Sequence, residues 1–215
     1  MNSLKSIYKE KFTDRGFLTT MFLSIVFLCG SLFVNFYAGI YATESASNPV
    51  TDIILSNIPV FHFDGIFLYG PLVFWIVTVF LQIYHPERYP FWLKSIALFV
   101  LIRSAFVTLT HIGPFPSATP VDLTGVMGIF TFGGDLFFSA HTGLPFLTAL
   151  IFWEHKFMRY LSLACAVFFG AIVLLAHLHY SIDVLAAFFI TYSICKIAEF
   201  LFKQDFRMFS WNKDV

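Results

Sequence analysis

Residues 17–42 read FLTTMFLSIVFLCGSLFVNFYAGIYA, an apolar run without a charged side chain. A transmembrane helix needs about 20 such residues, because each residue rises ~1.5 Å and the hydrocarbon core is ~30 Å thick. Further apolar runs follow at residues 66–84, 91–110, 135–153, 157–176 and 180–202. These runs are continuous and lack the alternation of membrane β-strands. The sequence therefore predicts an all-α integral membrane protein, a bundle of six transmembrane helices.

The composition also indicates a protein that lies in lipid. Hydrophobic residues make up 58% of the 215 and charged residues 12%, with a mean hydropathy of +0.79, whereas charged residues form about 25% of an average soluble domain. The 13 basic and 13 acidic residues cancel, so we expect no nucleic-acid partner. The first run is too long for a signal-peptide core and is expected to remain as an anchor. We expect one membrane domain over residues 1–215, with its catalytic core at about 91–203.

Lysine and arginine are concentrated on one side of the predicted bundle. Eleven of the 13 lie before the first run, near the second and fourth connections or after the last run: Lys5, Lys9, Lys11, Arg15, Arg88, Lys94, Lys156, Arg159, Lys203, Arg207 and Lys213. The three opposite connections contain none. Because Lys and Arg are retained on the cytoplasmic side, we expect a multi-pass protein with both termini cytoplasmic.

Residues capable of chemistry gather at the opposite, non-cytoplasmic ends of three runs. They are Arg103, Asp135, Ser139, His141, His177, His179 and Asp183. An ionisable residue at membrane depth costs about 2.5 kcal/mol or more unless it is paired or hydrated. We therefore expect a shared polar cavity that faces the non-cytoplasmic side. A transporter would distribute such residues through the membrane depth, which disfavours a transporter or a non-enzymatic scaffold.

His179 and Asp183 are four residues apart and therefore share one face of a helix. In that arrangement the carboxylate of Asp183 can accept the imidazole N–H of His179 and fix its tautomer. The other ring nitrogen is then free to attack an electrophile. The alternative is a pair that only stabilises the end of a helix, and the spacing alone is compatible with both.

Ser139 and His141 lie where a helix is expected to begin. Unpaired backbone N–H groups and the positive end of the helix dipole favour a bound oxyanion there, and a histidine can donate a proton to a leaving oxygen. Arg103 offers planar donors that match phosphate, although it could also extend towards the headgroups. Asp135 and His177 are candidate supporting residues. We expect no metal and no cofactor, because the histidines are assigned to covalent catalysis and no acid-rich ligand set accompanies them.

Three blocks of the sequence carry a resemblance to a known family. They are GGDLFFSAHTG, LLAHLHYSIDVLAAFFIT and RSAFVTLTHIGPFP, at residues 133–143, 174–191 and 103–116. All three resemble blocks of the sphingomyelin synthase family, a branch of the type 2 phosphatidic acid phosphatase superfamily. The blocks occur in that family's order on six predicted spans and cover roughly the last half of the chain.

The resemblance implies a catalytic triad of His141, His179 and Asp183. In this reading His179 attacks phosphorus to form a phosphohistidine, Asp183 orients it, and His141 protonates the leaving alkoxide and later deprotonates the acceptor. The chain departs from the family at Ala140, where Ser-Gly-His is usual. It departs from the lipid phosphatases at Val173, where those enzymes carry an arginine.

The resemblance implies a lipid phosphotransferase that moves phosphocholine or phosphoethanolamine from a phospholipid donor to a lipid-alcohol acceptor. The alternative is a lipid phosphate phosphatase, in which water is the acceptor. A phosphodiester carries one negative charge and a phosphomonoester approaches two, so a single arginine at this face favours the diester. The sequence leaves two roles open for the aromatic residues of the outer loops, a cap that excludes water from the site or anchors at the membrane interface: Phe61, Phe63, Phe115, Phe130 and Phe132.

Overall fold

The computed structural model describes residues 3–118 and 133–211, and within these residues the fold is helical with no strand. The described α-helices are α1 (Leu4–Thr13), α2 (Arg15–Glu44), α3 (Asp64–Leu81), α4 (Tyr89–Leu109), α5 (Ala140–Ile151), α6 (Lys156–Leu175), α7 (Ser181–Leu201) and α8 (Lys203–Trp211). Short 3₁₀ turns occupy Leu55–Asn57 and Pro86–Arg88. The aromatic residues of the outer loops fall partly outside the described residues, since Phe130 and Phe132 lie in 119–132.

The predicted all-α membrane bundle is confirmed. Among the described helices, α2, α3, α6, α7 and the segment Pro86–Leu109 that contains α4 are long and apolar enough to cross a membrane. The helix α5 is apolar but shorter, with 12 residues. The helices α1 and α8 precede and follow the spans and were not predicted as separate elements.

The fourth apolar run differs from the prediction. Residues 135–153 were expected to form one helix, but α5 extends only over Ala140–Ile151, a length of about 18 Å. The residues before it form a non-helical stretch, which we call the pre-helix segment (residues 135–138). Its carbonyls accept hydrogen bonds from the side chains of Arg103 and His179. Non-helical backbone is tolerated at membrane depth only where protein groups satisfy it, and these two side chains provide donors for three of the four carbonyls, those of Asp135, Leu136 and Phe138.

The helix α2 packs along α4 through a regular stripe. Phe17, Ser24, Ser31 and Ala38 recur every seven residues and are buried. Three of the four are small, so the two backbones can approach closely, and the hydroxyl of Ser24 donates to the carbonyl of Pro90. This packing fixes α4, which carries the first residue of the candidate site.

The main apolar core lies between α4, α5 and α7. It contains large buried side chains from each of these helices, among them Trp92, Phe99, Leu147 and Ile194. At one end of the bundle, Lys94 of α4 forms an ion pair of 2.6 Å with Asp205 of α8. The other end, where α4 and α6 finish and α5 and α7 begin, holds the candidate functional residues. We call it the site end.

Candidate active site

Arg103 anchors the pre-helix segment from the neighbouring helix α4. Its Nε donates to the carbonyl of Phe138 at 2.7 Å, Nη1 donates to the Asp135 carboxylate at 2.8 Å, and Nη2 donates to the Asp135 carbonyl at 3.0 Å. The arginine is 5% exposed, and a buried guanidinium needs such partners to offset its lost hydration. The sequence analysis assigned the guanidinium donors of Arg103 to substrate phosphate, but in the structure all three nitrogens bind protein oxygens.

His179 is oriented by the backbone of the same segment. Its Nδ1 lies 2.8 Å from the carbonyl oxygen of Leu136 and 3.5 Å from Oδ2 of Asp183. The expected pair with Asp183 is present, but the shorter contact is to the carbonyl. A carbonyl oxygen only accepts hydrogen bonds, so Nδ1 carries the proton and Nε2 carries the lone pair. Among the described residues, Nε2 has no hydrogen-bond partner.

Asp183 both faces the imidazole of His179 and stabilises a helix end, the two roles that the sequence left as alternatives. Its Oδ2 accepts the backbone N–H of Tyr180 at 2.9 Å, which caps the first turn of α7. The same oxygen faces Nδ1 of His179. Asp183 is fully buried, and its Oδ1 has no partner in the described part of the chain. A carboxylate held in this way can stabilise a positive charge that develops on the adjacent imidazole.

The first turn of α5 brings Ser139 and His141 to the same place. The backbone N–H of Ser139 donates to the carbonyl of Asp183 at 3.2 Å, which joins α5 to α7. The hydroxyl of Ser139 is fully buried, without a partner among the described residues. The N–H groups of the first turn also lack partners within the helix. His141 interacts electrostatically with His179, Arg103 and Asp135.

His177 lies beside this group but makes a different contact. It adopts a positive φ of 55° in the turn between α6 and α7, a conformation in which histidine is more frequent than most residues. Its Nδ1 is 2.7 Å from the hydroxyl of Ser117, and its ring meets Phe115 edge to face. The structure thus joins His177 to the loop after α4, whereas six of the seven predicted residues form one connected cluster.

Asp52, which lies in the loop after α2, was missed by the sequence analysis. Its Oδ2 accepts the N–H and the hydroxyl of Ser181 at 2.7 and 2.8 Å, and its Oδ1 accepts the N–H groups of Ile54 and Leu55. Asp52 therefore caps α7 from 129 residues away. Burial alone would raise the pKa of Asp52, but the hydrogen bonds from Ser181, Leu55 and Ile54 outweigh burial and lower it.

We expect Asp52→Asn to destabilise the folded protein by about 1–3 kcal/mol near neutral pH, because a charge-assisted cap of α7 is lost. The lowered pKa means that the wild type has this stabilisation above the unfolded pKa and loses it as the pH falls through the folded pKa. Thermal unfolding in detergent over a series from about pH 7 to about pH 3 measures both effects. Glu44→Gln, at an exposed carboxylate, is the matched control. If Asp52→Asn lost as much stability as the wild type when the pH falls, the assignment of this pH dependence to Asp52 would be contradicted.

Residues 133–200 match the family model described as PAP2 superfamily C-terminal. The comparisons with curated proteins and with solved structures gave no match. The matched segment contains every residue of the connected cluster except Arg103, together with nearly all of α5 to α7. Phosphatases and phosphotransferases are typical of this superfamily. The match, on a helical membrane bundle, supports the assignment of this segment to the type 2 phosphatidic acid phosphatase superfamily.

Proposed function

We propose that the protein is a membrane lipid phosphotransferase of the sphingomyelin synthase-like branch. It would move phosphocholine or phosphoethanolamine from a phospholipid to a lipid alcohol through a phosphohistidine on His179. The observation that carries the proposal is the 2.8 Å contact between Nδ1 of His179 and the Leu136 carbonyl. This contact keeps the lone pair on Nε2, as a nucleophile requires.

In the first half-reaction, Nε2 of His179 forms a bond to phosphorus. The bond between phosphorus and the diacylglycerol oxygen breaks, and its electron pair goes to that oxygen. Protonated His141 supplies the proton, so diacylglycerol leaves as a neutral alcohol. Asp183 stabilises the positive charge that remains on the phosphorylated imidazole, since its buried Oδ2 lies 3.5 Å from Nδ1.

In the second half-reaction, neutral His141 takes the proton from the acceptor hydroxyl while the hydroxyl oxygen attacks phosphorus. The phosphorus–nitrogen bond breaks, and its electron pair returns to Nε2 of His179. The non-bridging phosphate oxygens are bound by the first-turn N–H groups of α5 and by the Ser139 hydroxyl, which is buried without a described protein partner. Arg103 acts mainly by positioning, because Asp135 already neutralises it.

The charge balance of the site supports a phosphodiester substrate. Arg103 and Asp135 sum to zero charge in their ion pair, so helix-end dipoles rather than free cations face the phosphate. Such a site suits one negative charge better than two. Phe115 adds shielding, since its ring packs against His177 and Tyr180 at the α6–α7 turn. Exclusion of water favours a lipid alcohol as acceptor.

The test is a substrate panel with purified protein in one detergent. Phosphatidylcholine, phosphatidylethanolamine and phosphatidic acid are supplied with or without ceramide or diacylglycerol, and kcat/KM is measured for each. We expect the two diesters to be turned over faster than phosphatidic acid, with the labelled head group recovered on the lipid alcohol. His179→Ala is the control for contaminating activity.

The superfamily match is equally compatible with water as the acceptor, so the phosphatase remains the second candidate. It predicts inorganic phosphate released from phosphatidic acid at a higher kcat/KM than any head-group transfer. That result would replace the transferase proposal.

We propose that the site end faces the non-cytoplasmic side, with both termini cytoplasmic, because the loops at this end carry no lysine or arginine. A single cysteine introduced at exposed Ile53 should react with a membrane-impermeant maleimide in intact cells, after the native cysteines are replaced. Reaction only after permeabilisation would reverse the orientation.

A further inference from the structure

A proline in α3 releases a backbone carbonyl next to the candidate site. In an α-helix the N–H of each residue donates to the carbonyl four residues earlier, and proline has no N–H. Pro71 lies inside α3, so the carbonyl of Phe67 lacks its regular donor. In the structure this carbonyl lies 3.1 Å from Nε2 of His141, on a different helix. The freed carbonyl and the candidate acid–base histidine are therefore partners.

The side chain of Phe67 holds the same histidine. Its ring stacks on the imidazole of His141, with ring centroids 4.2 Å apart and planes inclined by 18°. Phe67 is itself buried. One residue of α3 thus fixes the plane of the imidazole through its ring and the rotation of the imidazole through its carbonyl.

The carbonyl contact also selects the tautomer of His141. Because the carbonyl only accepts, Nε2 carries the proton, and the neutral ring has its lone pair on Nδ1. Within the described residues, Nδ1 of His141 has no hydrogen-bond partner. It is the nitrogen that remains available to a substrate.

We propose that the Phe67 carbonyl, freed by Pro71, is the positioning group of His141, and that Nδ1 of His141 carries the transferred proton. This inference rests on the proposed function. In the first half-reaction Nδ1–H gives its proton to the diacylglycerol oxygen as the phosphorus–oxygen bond breaks. In the second, Nδ1 takes the proton of the acceptor hydroxyl as the phosphorus–nitrogen bond to His179 breaks. Nε2–H stays on the Phe67 carbonyl throughout.

The surroundings of Pro71 make it a suitable site for a test. Pro71 lines an apolar cavity of about 80 Å³ between α3 and α5, together with Phe74, Trp75 and Leu144. Replacing Pro71 with alanine removes ring atoms beside existing space and adds an N–H. The Phe67 carbonyl then accepts a hydrogen bond from the new N–H within α3, and this N–H competes with Nε2–H of His141 for the same carbonyl.

The experiment is ¹⁵N NMR of histidine-labelled protein in micelles, with the His141 signals assigned by their loss in His141→Gln. We expect the Nε2–H tautomer in the wild type and a mixture of tautomers in Pro71→Ala. We also expect kcat to fall roughly 10- to 100-fold in Pro71→Ala, because a small misplacement of a catalytic group is enough for a loss of that size, with KM nearly unchanged. Leu72→Ala, at an exposed neighbour on the same helix, should keep both the tautomer and kcat.

A neutral wild-type His141 with its proton on Nδ1 instead of Nε2 would overturn the inference, whether or not Pro71→Ala folds. An unchanged tautomer and kcat in Pro71→Ala would also overturn it. If the expected tautomers are found but neither head-group transfer nor hydrolysis occurs with any phospholipid, the positioning role stands and the proposed function fails. The NMR measurement and the assay therefore separate the two ideas.

Discussion

His179→Ala is expected to abolish head-group transfer, with kcat lower by at least about 10⁴-fold. The imidazole supplies the attacking nitrogen, and the Leu136 carbonyl and the Asp183 carboxylate both face Nδ1 of that ring. Incubation with phosphatidylcholine labelled with ³²P in its head group should yield a protein-bound label that is stable to base and labile to acid in the wild type. The variant should show no such label.

Residues that act as a unit are strongly non-additive. The double variant His141→Ala/His179→Ala should therefore cost little more than His179→Ala. His111→Ala is the matched control, because His111 is exposed and its Nε2 contacts the Thr108 carbonyl on its own helix end, away from the candidate site. A His179→Ala variant that still acquires the protein-bound label and remains active would rule out a phosphohistidine at this residue.

Arg103→Lys is expected to lower kcat at least about 100-fold, although the positive charge is kept. A lysine ammonium can retain the ion pair with Asp135, but it cannot also reach the Phe138 carbonyl with the geometry of the guanidinium. The pre-helix segment then shifts, and with it the Leu136 carbonyl that orients His179. A displacement of about 1 Å at such a site is enough for a 100-fold loss.

Stability measurements distinguish positioning by Arg103 from direct phosphate binding. Removing one member of a buried ion pair costs about 3–5 kcal/mol, so Arg103→Ala and Asp135→Ala should both destabilise the fold. The double variant should lower the free energy of unfolding by much less than the sum of the two single losses. Direct phosphate binding instead predicts a raised KM, with unchanged stability in Arg103→Lys. Arg159→Lys, at the opposite end of the bundle, is the control for a simple arginine-to-lysine change.

The helical spans follow from local sequence. Comparing the length of each apolar run with the thickness of the bilayer located the spans that correspond to α2, α3, α4, α6 and α7. This works because an apolar helix satisfies its own backbone hydrogen bonds whatever its neighbours are. The fourth run was placed correctly but was assigned too much helix. Its residues 135–138 have the composition of a span, but in the structure their carbonyls accept hydrogen bonds from Arg103 and His179, side chains that lie far away in the sequence.

In the candidate site, too, some features follow from local sequence and others from packing. The sequence by itself determined that His179 and Asp183 share one helix face and that polar residues gather at one end of the bundle, since helical periodicity and the cost of burying charge are local properties. Only the tertiary structure decided which atoms orient the histidines. The carbonyls of Leu136 and Phe67, and the Asp52 carboxylate that caps α7, act on residues 43, 74 and 129 positions away. Packing decides which group a backbone carbonyl or a loop carboxylate meets, so Pro71 marks the Phe67 carbonyl as free in the sequence but does not identify His141 as its partner.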